Sequence, residues 1–174
     1  MEYHGGAIWG LDPSTKTGVA CGRPGTTPVL TTVELQHEFD TYVDVFARAV
    51  KWFSGKLDEG LPELVVIEGL VPAQNHSNAM IAYGLHAVFA GLANSRGVLV
   101  RFAPVSTWRS YFLGMGRIGG DKAKAQAVML CKQLGWDAPD HNAAEAAGIW
   151  LYGCSLVAPQ ITRRHEPLFA RLGK

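Results

Sequence analysis

Two short apolar runs each close on an acid. AIWGLD ends in Asp12, and ELVVIEG carries Glu68 immediately before its glycine. A third acidic centre lies near the C-terminus in PDHNAAEAAG, where Asp140, His141 and Asn142 precede an alanine-rich helical pattern with Glu145 inside it. Hard divalent cations take oxygen ligands, and converging carboxylates relieve their mutual repulsion by sharing the ion. Two such ions roughly 3.5–4 Å apart activate water and stabilise the leaving oxygen in phosphodiester hydrolysis. Asp12 also has a plainer reading, as the opening residue of a turn with Pro13 and Ser14. Glu68 fits that kind of reading less well, because a charge at the end of a buried strand is rarely left unpaired. On a helix, Asn142 and Glu145 lie about 60° apart, His141 and Glu145 about 40°, and Asp140 and Glu145 about 140°. Asp140 can therefore share a site with Glu145 only as a cap residue outside helical geometry, and a cap already serves backbone N–H groups.

Such a constellation needs a scaffold that brings strand ends and a helix head together. Residues 7–12, 17–22 and 29–35 read as three strands, separated by Asp-Pro and Pro/Gly turns, in an antiparallel meander. Residues 38–57 place Phe39, Tyr42, Val43, Phe46, Val50 and Phe53 at helical spacing. A short, nearly all-apolar strand at 63–69, a helix at 76–95 and a strand at 97–104 follow. Ser106 or Thr107 could cap a short helix through Phe112, and 119–136 has an Asp start and a Gly stop. Asp140 caps the last helix, expected to run to about Tyr152. The pattern predicts one α/β domain over 1–158, with a mixed sheet flanked by helices, and an irregular tail over 159–174. Ligands of such sheets lie outside the carboxyl ends of parallel strands, so neighbouring, parallel first and fourth strands would put Asp12 and Glu68 at one edge.

Bulk composition excludes several classes. The 174 residues are 48% hydrophobic and 18% charged, with no repeat or low-complexity tract. No signal peptide or membrane span is expected, and the widely spaced Cys21, Cys131 and Cys154 suit a reducing cytoplasm rather than a disulfide or zinc framework. Net charge is +1, yet 1–96 holds 6 Lys/Arg against 10 Asp/Glu and 97–174 holds 10 against 5. A basic C-terminal half is compatible with a nucleic-acid surface.

The stretches AIWGLDPSTKTGVACG, VVIEG, PVSTWRSYFLGMG, DKAKAQAV and LGWDAPDHNAAEAAGIW follow in the order found in RuvC-like Holliday junction resolvases. The chain resembles this group of the RNase H-like superfamily over residues 7 to about 152, most closely its compact phage and prophage versions. The resemblance implies an RNase H-like fold and a Mg²⁺- or Mn²⁺-dependent endonuclease acting on branched DNA, with two ions per site. It assigns metal binding to Asp12, Glu68 and Glu145, the last replacing a more usual aspartate. Asn142 stands where the bacterial pattern has an acid or histidine, and Asp140 fits the phage-type spacing, so Asp140 joins the metal set with His141 as general base or water ligand. Related resolvases also carry an active-site lysine near the start of the preceding helix. Lys122 and Lys124 lie about 200° apart there, and Lys124 is preferred.

Arg109, Arg117, Lys122 and Lys124 are the expected phosphate contacts, with Arg163 and Arg164 as a possible extension. Trp108, Tyr111 and Phe112 read as core. GMGRIGG matches the GxGxxG dinucleotide pattern but does not follow the first strand of a βαβ unit. Two other readings stay open: a degenerate RNase H-like module that binds junctions without cutting, and a phosphate loop of the sugar-kinase and actin type at GLDPSTKTG. Symmetric cutting implies a homodimer; residues 76–95, with Ala79, Ala82, Gly84 and Ala87, are a candidate interface or simply a core-facing helix.

Overall fold

The computed structural model describes residues 4–70 and 75–162. Strands β1 (Ile8–Asp12), β2 (Lys16–Gly22) and β3 (Val29–Glu34) form the antiparallel meander. Helix α1 (Tyr42–Glu59) leads to β4 (Leu64–Glu68), and α2 (His76–Ser95) leads to β5 (Leu99–Ala103). Helices α3 (Val105–Leu113), α4 (Gly120–Gln133), α5 (His141–Val157) and α6 (Pro159–Thr162) complete the chain. The five-stranded sheet has the order β3-β2-β1-β4-β5, with β4 parallel to both β1 and β5. Among the described residues no helix is long and apolar enough to cross a membrane.

Side chains alternate across each strand, and the two faces have separate cores. Trp9, Leu11, Val65 and Ile67 point to the α1/α2 layer, where Phe53 and Phe89 meet edge-on with ring centroids 5.1 Å apart. Ile8, Leu64 and Val66 point to the layer of α3, α4 and α5. Asp12 and Glu68 continue this second set, so both strands end with an acid facing α5.

That face is unusually close. A Cβ on Gly10 would lie 2.5 Å from the Trp150 nitrogen, and one on Gly18 would lie 2.0 Å from the Asn142 carbonyl oxygen. Ala143, Ala144, Ala146 and Ala147 are fully buried, which lets α5 lie almost backbone to backbone on β1 and β2.

Several boundaries differ from expectation for local reasons. Helix α1 starts at the capping box of Thr41 and Asp44, so Phe39 falls outside it, at φ 69° and 94% exposed. The buried stripe is Val45, Ala49, Phe53 and Leu57, and Tyr42, Val43 and Val50 face solvent. Helix α3 begins after Pro104, with no side-chain cap from Ser106 or Thr107, and α4 begins after Gly119, leaving Asp121 in its first turn. The expected glycine stop of α4 is Gly135, at φ 71° after the cap residue Leu134. Helix α5 runs five residues past Tyr152, where Gly153 and Cys154 continue its buried face. Pro159 then opens the short α6 where an irregular tail was expected.

Gly18→Ala is expected to cost about 1–3 kcal/mol or more through overpacking against α5. Gly55→Ala, in α1 with nothing near its added methyl, should gain about 0.5–1 kcal/mol. Urea unfolding of both variants checks this, and equal effects would mean that the close approach is not a constraint.

Candidate active site

Strand register sets the first two acids side by side. Leu11 pairs with Ile67 in the parallel β1–β4 ladder, which puts Asp12 next to Glu68 at the carboxyl edge of the sheet. The two carboxyls lie within hydrogen-bonding reach of one another. Burial pushes the Asp12 pKa well above the ordinary carboxylate range; the negative charges of Glu68 and Glu145 add to this and Lys124 opposes it. Glu68 is raised as well, chiefly by burial, against a hydrogen bond from Trp108 Nε1 to its Oε1 at 3.0 Å.

Glu145 enters from α5 and is 5% exposed. Burial raises its pKa, while Arg109, Lys124 and His141 pull it down. Arg109 Nη2 donates to Glu145 Oε1 at 3.0 Å. The packing of α3 on α5 explains this contact: a Cβ on Gly148 would lie 2.6 Å from the Phe112 ring and 2.8 Å from the Trp108 ring. Glycine at 148 lets α3 approach closely enough for Trp108 to hold Glu68 and Arg109 to hold Glu145.

The remaining candidates separate. Asp140 caps α5, its Oδ1 accepting from the Ala143 N–H at 3.0 Å and from the Thr32 hydroxyl at 2.6 Å. Partial burial works upward on this carboxyl, but the hydrogen bonds from Thr32, Ala143 and Asn142 outweigh it and hold the pKa low. Asp140 thus ties α5 to β3, and it is not among the charges acting most strongly on Asp12, Glu68 or Glu145. His141, one turn before Glu145, is close enough to stabilise that carboxylate. Lys124 is half-buried and acts on both Asp12 and Glu145, whereas Lys122 and Arg117 are exposed. Arg109, expected at phosphates, is instead placed among the acids. Arg163 and Arg164 lie outside the described residues.

Two partners gave no sequence signal as site residues. Trp108 is fully buried, as expected of a core residue, yet its one polar atom serves Glu68. His86 on α2 bridges two backbone carbonyls, with Nε2 2.7 Å from Glu68 O and Nδ1 2.7 Å from Ala82 O. It buttresses the end of β4 from the opposite face. A lone histidine in the apolar run AYGLHAVF was the only trace of it. GMGRIGG joins α3 to α4, which removes the dinucleotide reading.

The sheet order and the helices on both faces match known structures. A Thermus thermophilus RuvC structure superposes with TM-score 0.65 and 19% identity over 88% of this chain and 96% of its own. The fold is RNase H-like. A structure of T. thermophilus RuvC in complex with Holliday junction substrate gives TM-score 0.69 at 19% identity, over 86% and 95% of the two chains. The yeast mitochondrial Holliday junction resolvase Ydc2 gives TM-score 0.62 at 12% identity, over 95% and 83%. No protein-family model and no curated relative matches the sequence. Within this RNase H-like fold, no group of three or more His, Cys, Asp or Glu among the described residues is arranged as a ready-made metal cage. Asp12 and Glu68 are turned to one another and Glu145 to Arg109.

The raised pKa values have a sign that can be tested. A carboxyl with a raised folded-state pKa binds more protons folded than unfolded, so stability falls as pH climbs from the ordinary values, 3.8 for Asp12 and 4.5 for Glu68, through the raised ones. Asp12→Asn removes one such group. Without divalent ions it should be stabilised by roughly 1 kcal/mol or more at pH 7, with the gain vanishing near pH 4. Denaturant melts at both pH values decide it; an Asn variant no more stable than the parent at pH 7 would contradict the buried repulsion.

Proposed function

We propose that the chain is a divalent-metal-dependent endonuclease that cuts four-way or otherwise branched DNA. The observation that carries this reading is the gathering of Asp12, Glu68 and Glu145 from β1, β4 and α5 at one sheet edge, within mutual electrostatic reach. Their chemistry fits Mg²⁺ or Mn²⁺: all donors are hard oxygens, and the charges of Glu68 and Glu145 act against that of Asp12 in buried surroundings, a repulsion that a shared cation relieves. When bound, such ions supply an activated water and stabilise the leaving oxygen of a phosphodiester.

The chain's own residues do the rest. Asp12, Glu68 and Glu145 would hold the ions through their carboxylate oxygens. His141 is one helical turn from Glu145 and can take a proton from the attacking water. Lys124 offsets charge that builds on the phosphate, and the exposed Arg117 and Lys122 hold the DNA backbone. Asp140, first assigned to the metal set, acts in this reading as the cap that fixes α5 and hence Glu145. The likeness to RuvC bound to a Holliday junction supports a branched substrate.

Cutting two strands symmetrically calls for two sites and so for a C2 homodimer. Gly84 belongs to the α1 contact, since a Cβ there would lie 2.0 Å from the Phe46 ring. The exposed apolar residues beside that contact are Tyr42, Val43, Met80 and Tyr83. They sit in the N-terminal halves of α1 and α2, which both start at the edge bearing the acids. This patch is the proposed dimer surface.

A labelled four-way junction with Mg²⁺ or Mn²⁺ should be cut by the parent protein. Asp12→Asn and Glu145→Gln should cut at least about a hundredfold more slowly while still binding, since metal charge stabilisation is worth several kcal/mol. Binding without cutting in every metal would identify a junction-binding module instead. In sedimentation, the parent should run as a dimer and Met80→Glu/Tyr83→Glu as a monomer; a monomeric parent would rule out the proposed surface.

A further inference from the structure

We infer that Arg109 is the resident counter-ion of the acidic site, which a divalent cation must displace from Glu145 in order to bind. The inference rests on the metal-dependent reading above. Arg109 and Glu145 side chains are 17% and 6% exposed, and one contact joins them, Nη2 to Oε1 at 3.0 Å. A guanidinium fixed for structural reasons usually presents its fork to both carboxylate oxygens and has its donors met. Here the fork is not used in that way. Arg109 Nε is the one buried side-chain polar atom among the described residues with no hydrogen-bond partner. The group is therefore held by charge and not by a full set of donors and acceptors.

Its surroundings let it leave. The Arg109 guanidinium lies 5.3 Å from the centre of the Trp108 ring, a flat face over which a cation can slide without losing its aromatic neighbour. Trp108 is itself anchored, fully buried with Nε1 on Glu68 Oε1, so movement of Arg109 does not loosen Glu68. A cation at bonding distance from Glu145 would face the guanidinium across the same oxygens, and like charges that close cannot both stay. Once released, the fork is free to meet a phosphate oxygen, so ion binding and substrate engagement would draw on one side chain.

The metal-free site then has its own charge partner, and the cost of removing that partner should show in ion affinity. Mn²⁺ titrated calorimetrically into the parent and into Arg109→Gln should bind the variant about tenfold more tightly. Without metal the variant should melt below the parent, and saturating Mn²⁺ should close that gap. Equal or weaker Mn²⁺ binding by the variant would overturn the inference while leaving the metal reading intact. No Mn²⁺ binding by either protein would overturn both. A measurement on the unaltered chain guards against a variant that fails to fold. In ¹⁵N-arginine-labelled protein, the Arg109 Nε–H resonance should shift on titration with Mg²⁺ alone, and a resonance unmoved at saturating Mg²⁺ would equally overturn the inference.

Discussion

Helix α5 rests on the sheet with no room for a side chain between them at Gly10 and Gly18, and most of the molecule's chemistry depends on that approach. A helix on a sheet is ordinarily separated from it by interlocking side chains. Here alanines on one side and glycines on the other bring the helix backbone down to β1 and β2. Glu145 can reach the ends of β1 and β4 only because of this closeness. The Asp140 cap, tied to Thr32 on β3, fixes the helix from its head, and Gly148 admits Trp108 from the other side. Gly10 and Gly18 on the sheet face helix backbone, and Gly148 on the helix faces two rings, that an added Cβ would meet.

The same closeness creates the electrostatic problem. Three carboxyls are carried into partly dry surroundings where their charges oppose each other, and burial raises all three pKa values. The fold relieves this in unequal ways. Asp12 and Glu68 are set against one another, Glu68 takes the Trp108 N–H, and Glu145 takes Arg109. Trp108 and Arg109 both come from α3, a helix of nine residues, and Lys124 on α4 adds to their effect. The packing of α3 on α5 therefore belongs to the chemistry of the site as much as to the core.

The five strands, the antiparallel meander and the acids that close β1 and β4 were legible in the sequence, because short apolar runs encode them directly; that β1 and β4 are parallel neighbours was only a condition, which the ladder meets. AIWGLD and VVIEG announce both a buried strand and an acid at its end. The rotation of α1 was not legible. Aromatic residues at helical spacing suggested that Phe39, Tyr42 and Val50 face the core, but the Thr41 cap and the smaller Val45 and Ala49 set the buried side. At the site, the positions of Asp12, Glu68 and Glu145 follow from local pattern. The placement of Arg109 does not, since it depends on how closely α3 and α5 approach, a distance set by Gly148 and invisible in local spacing.

Holding repelling groups at a sheet edge also demands that the strands beneath them not yield. The face away from the acids supplies that stiffness. Trp9, Trp52, Phe53 and Phe89 form a chain of ring contacts, with centroids 5.1 to 6.0 Å apart, under β1 and β4. His86 extends this support to the last peptide of β4, bridging the Glu68 carbonyl to α2 at 2.7 Å on each side. The backbone of Glu68 is thereby held from the α2 face while its side chain is held from the α3 face. Two layers with separate cores thus meet at one residue, and the direction of its carboxylate is fixed by both.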